Sequence, residues 1–139
     1  MALKTLVLSS LLALGLLVIV GTQPPAAQRF QQRHLDSRSG PLPSNYCNKI
    51  MKQRKLLKRN FNTFVHESLE AVQAVCHERT FCCSNGQNNC HMSRHRMNIT
   101  YCNLSGRNPP KYQTINRMKY IIIACDRNQT WPVYFDGSM

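Results

Sequence analysis

The chain has 139 residues, which leaves room for one small domain and excludes a multidomain enzyme. Eighteen Lys and Arg residues stand against six Asp and Glu residues, so the formal net charge is +12. A positive field of this size favours polyanions such as RNA, DNA, heparan-type glycans and anionic membranes, although a basic surface without a specific partner would give the same composition.

The first 27 residues have the pattern of a signal peptide. Lys4 precedes an apolar run over residues 6–20, and small residues follow that run. The run is short for a membrane span, and Ala26-Ala27 offers a cleavage point. We therefore expect a signal peptide at residues 1–27 and a mature, secreted domain at residues 28–139. The alternative is an uncleaved membrane anchor.

Secretion would place the cysteines in an oxidising compartment, where they pair. Their number is odd, so at least one stays free or pairs between chains. Three N-glycosylation sequons, which have a meaning only in a secreted protein, begin at Asn98, Asn103 and Asn128. The seven cysteines are Cys47, Cys76, Cys82, Cys83, Cys90, Cys102 and Cys125.

The first half of the domain reads as helical. Residues 29–35 predict a short helix with Phe30 and His34 on one side, followed by a Ser/Gly/Pro loop over residues 36–45. A second helix is expected to begin near Ser44 or Asn45, a strand to cover residues 61–65, and a third helix to cover residues 68–76. The apolar face of the second helix is expected to hold Cys47, Ile50, Met51, Arg54 and Leu57.

The second half reads as β-rich. Residues 97–102 alternate, residues 118–125 contain a buried-strand pattern, and residues 131–135 suggest a short final strand. Asn85-Gly86 marks a turn. Helices that precede strands predict an α+β fold with an antiparallel sheet.

Four segments then resemble one family. They are Gln-Gln-Arg-His-Leu-Asp at 31–36, Asn-Thr-Phe-Val-His-Glu-Ser-Leu at 62–69, Cys-Ser-Asn-Gly-Gln-Asn-Asn-Cys at 83–90 and Pro-Val-Tyr-Phe-Asp at 132–136. Their order and spacing over residues 28–139 resemble the pancreatic ribonuclease (ribonuclease A) superfamily. The resemblance implies a curved antiparallel sheet with three helices, stapled by disulfides, that forms an RNA-binding cleft.

The reaction implied by the resemblance is cleavage of RNA after pyrimidines, without metal or cofactor. The ribose 2′-hydroxyl attacks the neighbouring phosphorus, one imidazole accepts the hydroxyl proton, and a second imidazole protonates the leaving 5′-oxygen. A cationic side chain stabilises the charge on the phosphoryl oxygens.

Carried onto this sequence, the resemblance makes His34 the general base. Arg33 stands where the family has a phosphate-contacting Gln, and an Arg can still hold a phosphate. Asn62 and Thr63 fall on the positions that orient the base and read the pyrimidine, for which a Thr hydroxyl is suited because it both donates and accepts.

The same resemblance assigns roles to further positions. Phe135 and Asp136 match a cleft-lining Phe and the Asp behind it, and His66 matches a structural position. Gln87 and Asn89 match an outer base pocket, although a simple turn role is equally compatible with their sequence. The remaining histidines are expected to be solvated surface groups without metal-ligand spacing: His77, His91 and His95.

The main departure from the family is Tyr134, which occupies the position of the second catalytic histidine. A Tyr has a reference pKa near 10 and releases its proton reluctantly at neutral pH. Loss of a matched general acid typically lowers the rate by about 10²- to 10⁴-fold. The sequence therefore predicts RNA binding with strongly impaired cleavage.

A second departure affects the family's Cys-Lys-x-x motif, which here reads Leu-Lys-Arg-Asn-Phe at 57–61. Counting back from Asn62 puts Arg59 at the position of the catalytic lysine, whereas matching by residue type favours Lys58. The cysteine of this motif is absent, and so is its partner, expected near Pro109-Pro110. A bridge of that span would contribute about 4 kcal/mol.

The resemblance pairs the remaining cysteines as Cys47–Cys102, Cys76–Cys125 and Cys83–Cys90. Cys82 is left over. It can form an intermolecular bridge that makes a dimer, compete with Cys83 for Cys90, or remain a free thiol.

Three functions remain open on these residues. The first is a ribonuclease-fold protein that binds pyrimidine-containing RNA but cleaves it poorly, and the second is an active endoribonuclease with a substitute acid. The third is a cationic host-defence or cell-surface protein that binds anionic glycans or membranes. A ribonuclease inhibitor protein is a further candidate partner. The cationic role would use Arg33, Lys49, Lys52, Arg54, Lys55, Lys58 and Arg59.

Overall fold

A computed structural model describes residues 23–139, so most of the predicted signal peptide lies outside the described residues. The described helices are α1 (Pro25–His34), α2 (Tyr46–Gln53) and α3 (Leu69–Ala74), with a 3₁₀ turn at Val75–His77. The strands are β1 (Phe61–Val65), β2 (Thr80–Phe81), β3 (Cys90–Met92), β4 (Met97–Arg107), β5 (Pro110–Lys119), β6 (Ile121–Cys125) and β7 (Pro132–Ser138).

The strands form two antiparallel sheets, which confirms the predicted α+β class. One sheet has the order β1-β4-β5 and the other has the order β2-β3-β6-β7. Helix α1 packs against both β1 and β7 and so joins the two sheets, whereas α2 packs on β5 and β4. This arrangement places the C-terminal end of α1 between a strand of each sheet.

Two apolar clusters hold these layers together. Phe30 of α1 and Val72 of α3 pack with strands of both sheets in the first cluster, and α2 packs on the three-stranded sheet in the second. Burial of large apolar side chains is the main stabilising contribution in such a core. The strand and helix residues involved include Val65, Ile99, Ile121 and Ile123 in the first cluster, and Tyr46, Ile50, Met51, Phe64 and Tyr112 in the second.

Disulfides join the elements in the three pairs that the resemblance implies: Cys47–Cys102, Cys76–Cys125 and Cys83–Cys90. The first ties α2 to β4, the second ties the 3₁₀ turn to β6, and the third closes a loop before β3. Among the described residues, Cys82 is the free cysteine, and its side chain is exposed.

The helices differ from the predictions at their ends. Helix α1 begins at Pro25, three residues before the predicted domain boundary, and Ala27 is fully buried in it. Helix α2 ends at Gln53, so Leu57 does not belong to its apolar face; Leu57 is 36% exposed and Leu56 is buried instead. Helix α3 ends at Ala74 because the chain tightens into the 3₁₀ turn.

The largest difference between the predicted and observed elements lies in the β-rich second half of the domain. The predicted strand at residues 97–102 continues to Arg107 and forms a long hairpin with β5, which was not predicted. The predicted strand at residues 118–125 is split at Tyr120, between the end of β5 and the start of β6. The backbone of Tyr120 forms hydrogen bonds with that of Met139. Strand β5 is mostly exposed, and a strand without an alternating apolar face gives no periodic signal.

No helix among residues 23–139 is long and apolar enough to cross a membrane. The sequons at Asn98, Asn103 and Asn128 all present exposed asparagines.

Candidate active site

A cleft of about 380 Å³ opens where α1, β1, β4 and β7 meet. A smaller hollow of about 180 Å³ adjoins it, and the two share His34, Arg59 and Phe135. The cleft is completed by Phe61, Asn62, Thr63, Tyr101, Asp136, Gly137 and Ser138, and the hollow by Phe30, Arg33, Val133 and Tyr134.

His34 lies at the last turn of α1 and is only 8% exposed. Its Nδ1 is 2.9 Å from the carbonyl oxygen of Thr63. A carbonyl only accepts, so Nδ1 carries the hydrogen and Nε2 is the unprotonated nitrogen of the neutral ring. The ring is also stacked on Phe135, with 5.3 Å between the ring centroids.

The environment keeps His34 neutral. Desolvation by burial lowers its pKa to about 4; the contact with the Thr63 carbonyl opposes this, and the charges of Arg59 and Arg33 add to it. A neutral imidazole with a free Nε2 is the state that a general base requires.

Arg59 is the cation that the structure brings into the cleft. Its Nη1 donates to Oδ1 of Asn62 at 2.6 Å, and Nδ2 of Asn62 donates to the backbone oxygen of Arg33 at 2.8 Å. Asn62 therefore ties the Arg59 guanidinium to the end of α1. Burial, together with the charge of Arg33, holds the pKa of Arg59 below its usual value, although a guanidinium stays charged in proteins. Lys58 is exposed and lines neither the cleft nor the hollow.

The backbone of this segment is fixed by Tyr112, which is 4% exposed. The Tyr112 hydroxyl lies 2.7 Å from the carbonyl oxygen of Arg59 and 3.3 Å from that of Leu57. The family's disulfide bridge between this segment and the region of Pro109-Pro110 is absent, because the sequence has neither of its two cysteines. A buried hydroxyl from β5 thus restrains the segment without a covalent link.

Tyr134 lines the smaller hollow together with His34, and its side chain is 48% exposed. Arg33 lines the same hollow and is exposed. The described histidines His91 and His95 line neither the cleft nor this hollow. His91 is buried, contrary to the prediction of a solvated group, because its Nδ1 contacts the Glu78 carbonyl inside the fold.

Asp136 borders the cleft, but its carboxylate is engaged in hydrogen bonds with Ser84. It accepts hydrogen bonds from the backbone nitrogen and the hydroxyl of Ser84, the latter at 2.6 Å. Gln87 and Asn89 lie in the same disulfide loop and line neither the cleft nor the hollow. Asn89 donates to the carbonyl of Cys125, and the backbone nitrogen of Gln87 donates to Asn85, contacts that fit the turn role.

Four cleft residues were missed by the sequence analysis. Phe61 is 53% exposed and its ring lies 5.6 Å from that of Tyr101, which pairs with Thr63 across β1 and β4. The Tyr101 hydroxyl contacts the Ser138 hydroxyl, and Gly137 precedes Ser138. The position of Phe61 directly before the Asn-Thr-Phe motif was the available signal. Tyr101 and Ser138 lie on strands of different sheets, and their contact forms only where the two sheets meet.

Within residues 23–139, one group of three potential metal ligands is close enough to share an ion: Cys83, Cys90 and Asp136. Both sulfurs of this group are joined in a disulfide, which removes them as thiolate ligands. The cleft and the adjoining hollow bring together an imidazole, guanidinium groups and the phenols of Tyr101 and Tyr134.

Comparison with known proteins agrees with this geometry. The family model described as pancreatic ribonuclease matches residues 25–136. The chain is 50% identical over 121 aligned positions to "Ribonuclease pancreatic" of Choloepus hoffmanni, covering 82% of this chain and 94% of the relative. It is 43% identical over 149 positions to "Ribonuclease pancreatic gamma-type" of Rattus norvegicus, covering 98% and 97%.

A third relative, "Brain ribonuclease" of Bos taurus, is 44% identical over 151 positions, which cover 100% of this chain and 90% of the relative. These matches support a ribonuclease-type function with RNA as the substrate. The chain belongs to the pancreatic ribonuclease family.

Proposed function

We propose that this chain is a secreted protein that binds pyrimidine-containing RNA in the cleft between α1 and β7 and cleaves it only weakly. The observation that carries the proposal is the arrangement of the three groups around the smaller hollow. His34 and Arg59, which supply an imidazole and a cation, line this hollow, and the third group is the phenol of Tyr134.

The binding half of the proposal rests on charge and shape. Arg59 and Arg33 both line the smaller hollow that adjoins the cleft, and a phosphate between them would gain charge-assisted hydrogen bonds. Thr63 and Phe135 both line the cleft, so a flat base there has an aromatic ring for stacking and a hydroxyl that donates and accepts.

The proposal that cleavage is weak rests on proton transfer. Nε2 of His34 can take the 2′-hydroxyl proton, but the leaving 5′-oxygen also needs a donor. A phenol releases its proton less readily than an imidazolium at neutral pH, and it supplies no positive charge to the phosphate. His91 and His95 do not border the cleft, which leaves Tyr134 as the candidate acid among the described residues.

Binding is tested with an uncleavable single-stranded oligodeoxynucleotide that contains pyrimidines. We expect Arg59→Ala to weaken binding about tenfold, which is about 1.4 kcal/mol, while Lys58→Ala, the matched control of equal charge, changes it less than about twofold. Equal losses in the two variants would show that binding is a general charge effect and would contradict a cleft site.

A cationic surface supports a second candidate function, binding to anionic membranes or glycans. The exposed lysines Lys49, Lys52, Lys55 and Lys58 lie on α2 and the turn that follows it. Arg54 and Arg59, which were predicted to join this surface, are engaged in contacts with α1 and Asn62 instead. Leakage of vesicles rich in anionic lipid, lost in a Lys52→Glu/Lys55→Glu variant that still binds the oligonucleotide, would favour this second function.

A further inference from the structure

One of the three sequons lies on the cleft face of the sheet. Asn103 is the direct cross-strand partner of Phe61 between β1 and β4, and Tyr101 is the partner of Thr63 two positions away. Directly paired residues of an antiparallel sheet project from the same face, as do residues two apart on one strand. The Asn103 side chain therefore projects beside the rings of Phe61 and Tyr101.

Phe61 marks the end of the cleft nearest to Asn103. Its ring is 53% exposed although it lines the cleft, and it contacts Tyr101 from one side. Along the strand, Asn103 lies about 7 Å beyond the Thr63–Tyr101 pair, at about 3.3 Å per residue. Any large group on Asn103 would therefore begin next to the exposed face of Phe61.

We propose that an N-linked glycan on Asn103 covers Phe61 and narrows this end of the cleft, so that the glycosylated form binds longer RNA more weakly. In the attachment step, Nδ2 of Asn103 loses one proton and bonds to the anomeric carbon of an oligosaccharide, and the polyprenyl diphosphate carrier leaves. Ser105 completes the sequon, and the intervening residue is Leu104 rather than proline. The consequence for RNA rests on the proposed RNA binding, and attachment of the glycan rests on the proposed secretion.

The other sequons lie elsewhere and supply controls. Asn98 borders a separate hollow of about 450 Å³ with Arg38 and His66. Asn128 lies in the turn between β6 and β7. A glycan at either position adds the same mass and polarity without adjoining Phe61.

The test uses the full chain secreted from mammalian cells, with Ser105→Ala to remove the sequon, Ser105→Thr to retain it, and Asn98→Gln as the matched control. Mass spectrometry before and after peptide-N-glycosidase treatment measures occupancy of Asn103. Hydroxyl-radical footprinting measures access to Phe61. We expect oxidation of Phe61 to be about halved in the native, Ser105→Thr and Asn98→Gln proteins relative to Ser105→Ala, because a glycan on Asn103 would cover part of a residue that is 53% exposed without it.

Binding of an uncleavable pyrimidine octadeoxynucleotide supplies the functional readout. We expect Ser105→Ala to bind about tenfold more tightly than the glycosylated protein, since stacking of one base is worth about 1–3 kcal/mol. An unmodified Asn103, or equal oxidation of Phe61 in all four proteins, would overturn the proposal. If no form binds the oligonucleotide, the proposed RNA function fails, and the oxidation ratio still decides where the glycan lies.

Discussion

Nδ1 of His34 lies 2.9 Å from the backbone oxygen of Thr63, so one hydrogen bond joins the end of α1 to the middle of β1. This contact fixes the imidazole tautomer and leaves Nε2 as the nitrogen without a proton. The same bond links the candidate base to the residue that would read the pyrimidine. A shift of β1 relative to α1 would therefore disturb both functions together.

The buried His34 makes stability depend on pH. Its pKa is about 4 in the folded protein and near 6.5 when exposed. Between these values the unfolded chain binds more protons, so the free energy of unfolding decreases as the pH falls from about 6.5 to about 4, by up to about 3 kcal/mol. Urea unfolding at several pH values in this range measures the slope.

The control for this slope is the exposed His77 on the 3₁₀ turn. His34→Gln should remove most of the pH dependence, and His77→Gln should leave it intact. A native His34 that titrates by NMR at pH 6 or above would contradict the buried, neutral state.

A single hydroxyl from β5 restrains the Arg59 segment. Tyr112→Phe removes the hydrogen bonds to the carbonyls of Arg59 and Leu57 without changing the ring, and it should lower the free energy of unfolding by about 1 kcal/mol. Since the segment loses its restraint, oligonucleotide binding should weaken as well. Tyr120→Phe is a suitable control, because it removes a phenolic hydroxyl outside the cleft lining. A stability loss with unchanged binding would show that Tyr112 does not position Arg59.

Arg54 holds the C-terminal end of α1. Its guanidinium donates to the carbonyls of Gln31, Gln32 and Leu35 at 2.7–3.1 Å, where a cation also opposes the negative end of the helix dipole. We expect Arg54→Met, which retains an apolar stem, to destabilise the protein by about 2 kcal/mol. Urea unfolding measures this loss, and Lys55→Met serves as the control of equal charge. Equal effects of the two substitutions would exclude a specific role for these hydrogen bonds.

Helix α1 also bears on where the mature chain would begin if the protein is secreted as proposed. A cut before Gln28 would remove the first turn of α1, including the buried Ala27 and the bond from the Gln31 side chain to Gln23. These contacts favour a mature protein that begins at or before Gln23 over the start at Gln28 that the Ala26-Ala27 cleavage point predicts. Intact-mass analysis of the secreted protein decides this, and a mass corresponding to a start at Gln28 would contradict the expectation.

The parts of the fold and site that the sequence predicted are those with local signals. The periodic apolar residues of α1 and α2 and the motif residues His34, Thr63 and Phe135 are readable along the chain, and the structure brings these three side chains into one cleft. What escaped prediction depends on pairing over long separations. Tyr101 reaches Thr63 only through the β1–β4 register.

The choice between Lys58 and Arg59 was open for the same reason. Both are cations in one turn, and sequence spacing cannot say which points inward. The hydrogen bonds from Arg59 to Asn62 and from Tyr112 to the Arg59 backbone decide the orientation, and they involve residues from β1 and β5. The sequence of β5 has no alternating apolar pattern, because most of its residues are exposed, so the strand could not be predicted.

We propose that Tyr134 limits catalysis in this cleft. The most direct measurement is the cleavage rate of a fluorogenic pyrimidine–purine dinucleotide by the folded native protein and by Tyr134→His and Tyr134→Phe. We predict a weak native rate, a similar rate for Tyr134→Phe, and a gain of about 10²- to 10⁴-fold for Tyr134→His that a further His34→Ala substitution abolishes. A native protein that already cleaves rapidly, with no gain from Tyr134→His, would show that Tyr134 does not limit catalysis.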